Sequence, residues 1–228
     1  MTVDIAHHHW RIDPAQYERH EQRRGRRHAF ETLVSQRTAL VVIDMVPFFV
    51  DLNPYTRGII ANVNDLAGVA RRANALVVWV VPADVEPSPA RVEFFGPDVA
   101  ELYRRSGGTG STRHRVAPDL ETTGADLFIE KSTASAFFPG GATLHDELVG
   151  RDIDTVLFAG TVANVCVESS ARDASSLGYR VVMVADAISA TRDEDLNATL
   201  HTLYRSFADV RSSDELAAML GPGISSSG

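Results

Sequence analysis

Three side chains in this sequence have the chemistry of a covalent catalyst. Cys166 is the only cysteine, and Lys131 is the only lysine among 22 lysine and arginine residues. An arginine keeps its proton at any working pH, whereas a buried lysine can have its pKa moved and take part in proton chemistry. Asp44 closes the apolar run TALVVI. An acid at that position is costly unless it is paired or functional. A thiolate would supply a nucleophile, and a carboxylate would take its proton and later return it to a leaving amine. An ammonium would lower the thiol pKa and hold the pair oriented. This is a set for acyl chemistry, provided that the three groups meet.

The cysteine lies in DTVLFAGTVANVCVESSARDA, residues 154–174. Residues 155–159 read as a buried strand, followed by a tight turn at Gly160 and Thr161. A helix then opens near Cys166, because Val167, Ala171, Ala174 and Leu177 share one face and Gly178 is placed as its stop. A cysteine in a first helical turn stands among unpaired backbone N–H groups at the positive end of the dipole, so the thiolate is expected to be favoured. Further strands are expected at 38–43, at 75–81 with Pro82 as a stop, at 126–130, and at 179–185 ending in Asp186. Helices are expected around 59–70, 143–149 and 193–207, with a loop over 83–97, and Trp79 reads as core. Continuous apolar strands alternating with helices imply a parallel sheet covered on both faces, a three-layer α/β arrangement. Asp44, Lys131 and Cys166 would then stand at or just past the carboxyl ends of three different strands, where such sheets form ligand sites.

Composition narrows the alternatives. A chain of 228 residues with 44% hydrophobic and 23% charged residues fits one sizeable core. The net charge of −8 argues against general nucleic-acid binding, which needs a basic face. No apolar run reaches the roughly 18 residues of a membrane helix, and MTVDIAHHHWRIDP lacks the apolar segment of a signal peptide. A lone cysteine fits a reducing cytoplasm. Residues 1–37 read as an N-terminal arm, 38–215 as the catalytic domain and 216–228 as a tail whose end, GISSSG, is expected to be disordered. Within the arm, His7, His8 and His9 read as plain sequence rather than a tag. The run Arg19, Arg23, Arg24, Arg26, Arg27 reads as a solvated face or subunit contact, and less readily as an anion site.

Asp44 after TALVVI, Lys131 before STASAF, and GTVANVCVESSARDA around Cys166 occur in this order over about 38–208. In these motifs the chain resembles the isochorismatase-like cysteine hydrolases. The resemblance implies a six-stranded, mainly parallel, Rossmann-like sheet and an Asp-Lys-Cys triad made of Asp44, Lys131 and Cys166. It further implies a cis peptide between Thr161 and Val162 and an oxyanion hole from the backbone N–H groups of Val162 and Cys166. Members assemble as dimers or tetramers, so a homo-oligomer is implied. Many members carry glutamine where this chain has Val46. The nicotinamidase branch carries an Asp-x-His metal site where this chain reads ADVEPSPARVEFF, so neither metal nor cofactor is expected. Phe49, Phe137 and Asn164 are candidate substrate contacts, with Val46, Phe48 and Phe138 as further hints of an apolar pocket. The leading expectation is hydrolysis of a small amide or carbamoyl C–N bond through a thioester on Cys166. Two rivals remain: vinyl-ether hydrolysis of an isochorismate-type substrate with Asp44 as the acid, and a non-catalytic binding or assembly module.

Overall fold

The computed structural model describes residues 5–221. Six parallel strands form one sheet in the order β3-β2-β1-β4-β5-β6. They are β1 (Thr38–Ile43), β2 (Leu76–Pro82), β3 (Leu127–Lys131), β4 (Thr155–Thr161), β5 (Arg180–Ser189) and β6 (Asp209–Arg211). Every residue of β1 and β4 is buried, as expected of central strands without a wet face. Alternation along β1 divides two cores. Ala39, Val41 and Ile43 face the helices Glu168–Ser176 and Asp193–Ser206, whereas Leu40 and Val42 face Ile60–Arg72 and Ser213–Leu220. Trp79 is core, and its indole N–H donates to Asp126 Oδ2 at 2.9 Å.

The elements depart from expectation at their ends. β2 continues through Pro82, which pairs with Lys131. β1 has already finished there, so the N–H that proline lacks is not missed by the sheet. β5 runs on to Ser189, which leaves Asp186 inside the strand rather than at its end. Its carboxylate accepts the Ser213 N–H and hydroxyl, both at 2.7 Å, and so anchors a helix. Leu177 is 45% exposed and does not share the buried face of Val167, Ala171 and Ala174. Residues 83–97 hold the helix Pro89–Phe95 instead of a loop, and Pro97–Arg104 follows it. β6 was missed because three residues carry no periodicity. The segment read as a tail begins inside the helix Ser213–Leu220. GISSSG lies outside the described residues.

The arm is folded onto its own domain. Asp13 caps the helix Pro14–Arg24, and Tyr204 donates its hydroxyl hydrogen to Arg27 O at 2.6 Å. His8 is more than plain sequence. Its ring stacks on Tyr55 with centroids 3.9 Å apart, Nδ1 lies 2.6 Å from Asp193 Oδ1, and Nε2 accepts the Ala190 N–H at 3.1 Å. An accepting Nε2 requires the neutral tautomer with its hydrogen on Nδ1, which then donates to Asp193.

Candidate active site

The chain reverses sharply where β1 ends. Asp44 has φ +54°, in the left-handed region that aspartate tolerates better than most residues. Its N–H donates to Val80 O at 2.8 Å, and its own carbonyl accepts the Val46 N–H at 2.9 Å. This turn lifts the carboxylate out of the strand direction and over the sheet edge. Gly160 on β4 has φ +104°, and a Cβ there would collide with the Ile43 backbone. Only glycine lets β4 come so close to the end of β1.

Asp44, Lys131 and Cys166 meet at this edge. Lys131 Nζ lies 2.8 Å from Asp44 Oδ2 and 3.4 Å from Cys166 Sγ, and it donates to Thr133 O at 3.2 Å. Asp44 is 1% exposed and Lys131 5%, whereas Cys166 is half-buried. The aspartate–lysine contact is an ion pair without hydrogen-bond alignment, and among the described residues neither carboxylate oxygen has an aligned donor. Buried acceptors are normally hydrogen-bonded, so this carboxylate retains unused accepting capacity beside the thiol. Burial alone would lower the Lys131 pKa, but the Asp44 carboxylate outweighs it and holds the ammonium charged.

The expected thiolate is corrected. Burial, and after it the Asp44 carboxylate, push the Cys166 thiol up to about 12 against the pull of Lys131. Cys166 lies in a π-helical turn, Ala163–Val167, and the α-helix begins only at Glu168. The resting residue is a neutral thiol beside an ion pair. Both raised values carry the same stability sign. A group whose folded pKa exceeds its unfolded one stabilises fully below the unfolded value and loses that contribution as pH rises through the folded one. Stability should therefore fall once pH passes about 9, the ordinary value of a cysteine thiol. Thermal melts across the alkaline range test this, and Cys166→Ala should flatten the fall.

Ser170 ties the cysteine segment to the lysine loop. Its hydroxyl donates to Cys166 O at 2.7 Å and accepts the Ala136 N–H at 2.9 Å. The peptide between Thr161 and Val162 is cis, and the Val162 carbonyl accepts the Val165 and Val167 N–H groups at 3.1 and 3.3 Å.

The expected substrate contacts fare unevenly. Phe49 is half-buried beside Phe48, with ring centroids 5.0 Å apart, and Asn164 is exposed. Phe137 is only 3% exposed and packs edge-on against Phe158 and Tyr179, so it belongs to the core and not to a pocket wall. Val46 is also core. What the sequence did not disclose is an aromatic row running from Phe48 to Tyr103, Phe95 and Phe94, with Phe94 among the most exposed apolar residues. Its signal was the pair Ser88-Pro89 and Gly96-Pro97, each of which starts a helix. Among the described residues, no group of three or more histidine, cysteine, aspartate or glutamate side chains could hold a metal ion.

Comparison with known proteins agrees with this architecture. Residues 38–215 match the model of the Isochorismatase domain. The uncharacterized isochorismatase family protein YwoC of Bacillus subtilis is 30% identical over 183 residues, covering 79% of this chain and 92% of that protein. The ureidoacrylate amidohydrolase RutB of Pseudomonas savastanoi pv. phaseolicola is 27% identical over 211 residues, covering 81% of this chain and 84% of that protein. The crystal structure of N-carbamoylsarcosine amidase from Thermoplasma acidophilum superposes with a TM-score of 0.64 at 27% identity, covering 78% of this chain and 97% of that one. A three-layer α/β fold with its polar cluster at the carboxyl edge of the parallel sheet is the class defined. The chain belongs to the isochorismatase family of hydrolases.

Proposed function

We propose that this protein is a cysteine hydrolase that cleaves a small amide or carbamoyl C–N bond through a thioester on Cys166. The observation that carries the proposal is the lysine ammonium within 2.8 Å of a buried carboxylate and 3.4 Å of the only thiol. The names of the similar amidohydrolase and amidase support it. Because the resting sulfur is protonated, the Cys166 proton passes to Asp44 as Sγ attacks the carbonyl carbon, and Lys131 holds the charge that is left. The oxyanion is received by the backbone N–H groups of Val162 and Cys166. Collapse breaks the C–N bond, and the proton on Asp44 goes to the departing nitrogen. Water then attacks the thioester, giving one proton to Asp44 and returning Cys166 as the thiol. Each proton is accounted for, and the carboxylate alternates between base and acid.

Phe48 and Phe49 would wall the apolar side of the substrate, and exposed Asn164 stands at the mouth. A panel holding N-carbamoylsarcosine, ureidoacrylate, simple primary amides and an isochorismate-type vinyl ether tests the assignment. Turnover of a carbamoyl or amide compound, lost in Cys166→Ser, is the expected result. Turnover of the vinyl ether alone, retained in Cys166→Ala and lost in Asp44→Ala, would replace it with acid-catalysed ether cleavage.

A further inference from the structure

The arginine run of the arm is not used by the proposed reaction, and neither is the buried histidine inside it. Both meet at one cleft of about 320 Å³ between the arm and the domain, lined by His20, Arg23, Arg24, Phe30, Arg205 and Phe207 among others. Two helices, Pro14–Arg24 and Asp193–Ser206, bring their last turns to this cleft, and these turns carry Arg23, Arg24 and Arg205. Helices in an α/β sheet run back against the strands. The cleft therefore opens near the start of β6, at the edge opposite the carboxyl ends that hold Asp44 and Lys131.

The charge at the cleft is unbalanced. Two carboxylates near it are engaged elsewhere, Asp209 with His28 and Arg211 and Glu168 with Arg172, and Glu18 and Glu21 on the arm helix are the acids left to offset the arginines. Among the described residues, none of Arg23, Arg24 and Arg205 takes part in an ion pair, although the chain as a whole carries a net charge of −8. Arg24 is held in place, since it donates from Nε to Arg26 O and from Nη2 to Arg27 O. Part of the ordering entropy of ligand binding is therefore already spent. His20 is 4% exposed, and its Nε2 has no hydrogen-bond partner among the described residues. Its ring meets that of Tyr204 at 79° with centroids 4.8 Å apart. Burial, then Arg24, Arg23 and Arg19, lower its pKa, so it lines the cleft as a neutral polar group. The rest of the lining consists of the rings of Phe30, Phe207 and Tyr204, two alanines and Ser206.

We infer that this cleft binds a small organic anion, a phosphate or carboxylate group carried on a flat apolar body. The anionic group would lie between the guanidinium groups, which match its oxygens in pairs, and the ring would lie on Phe30 and Phe207. Neither Cys166 nor the pair beside it takes part.

Isothermal titration calorimetry of the full chain with phenyl phosphate tests this, with phenol as the uncharged control. The exposed side chains of Arg23 and Arg205 permit the double variant Arg23→Ser/Arg205→Ser without disturbing the core, and an unchanged thermal melt verifies that. Binding of phenyl phosphate but not phenol, weakened at least about tenfold in the variant, is expected, since charge-assisted contacts are lost. Phenol binding as well as phenyl phosphate would overturn the inference. So would equal binding by the variant, or no heat with phenyl phosphate up to about 10 mM.

Discussion

Cys166→Ala is expected to lower turnover of a carbamoyl or amide substrate by on the order of 10⁴-fold or more, because the covalent route disappears with the sulfur. Cys166→Ser should not rescue it. An alcohol is a far weaker acid than a thiol, and nothing at the site besides one carboxylate accepts its proton. The fold should survive both changes, since Cys166 is half-buried at the margin of the core and alanine and serine are close to it in size. Steady-state kinetics with a thermal melt as control therefore separate chemistry from folding. Iodoacetamide labelling of the resting enzyme should be slower than that of a free thiol, as a thiol pushed up to about 12 is almost wholly protonated at neutral pH. Slow labelling together with fast turnover would mean that the proton leaves only in concert with attack.

Lys131→Met should both stop turnover and weaken the protein. Asp44 is 1% exposed, and among the described residues the lysine ammonium is the only cation that pairs with it. Removing one partner of a buried pair strands the other charge, with a typical loss of about 3–5 kcal/mol. The double change Asp44→Asn/Lys131→Met removes both charges and should cost less than the sum of the single changes. Urea denaturation of the four proteins measures the coupling. Additive losses would mean that the pair contributes no mutual stabilisation.

How far the sequence foretold this depends on which residue is asked about. β1 is right to the residue, since TALVVI is apolar after its first threonine and is followed at once by an acid. The gathering of Asp44, Lys131 and Cys166 was legible because each closes or follows a strand, and parallel strands deliver their ends to one edge. The ionisation of Cys166 was not legible, because burial and the nearness of Asp44 are tertiary facts that a helix-start argument ignores. Phe137 looked like a pocket wall beside Phe138, yet one neighbour is core and the other exposed. Sequence adjacency does not say which way a turn points its side chains. β6 escaped because three residues of strand are too short for a pattern, and most of the helix after it fell in what read as a tail. His8 escaped for a different reason: its partners Tyr55, Ala190 and Asp193 are far away along the chain.

The covalent step is the claim on which the reading of this site stands. Mass spectrometry of protein quenched during turnover of an active carbamoyl or amide substrate addresses it directly. The expected spectrum has a species heavier by the acyl fragment, located on the peptide that carries Cys166 and absent in Cys166→Ser. An unmodified cysteine throughout turnover, with Cys166→Ala as active as the parent, would contradict it.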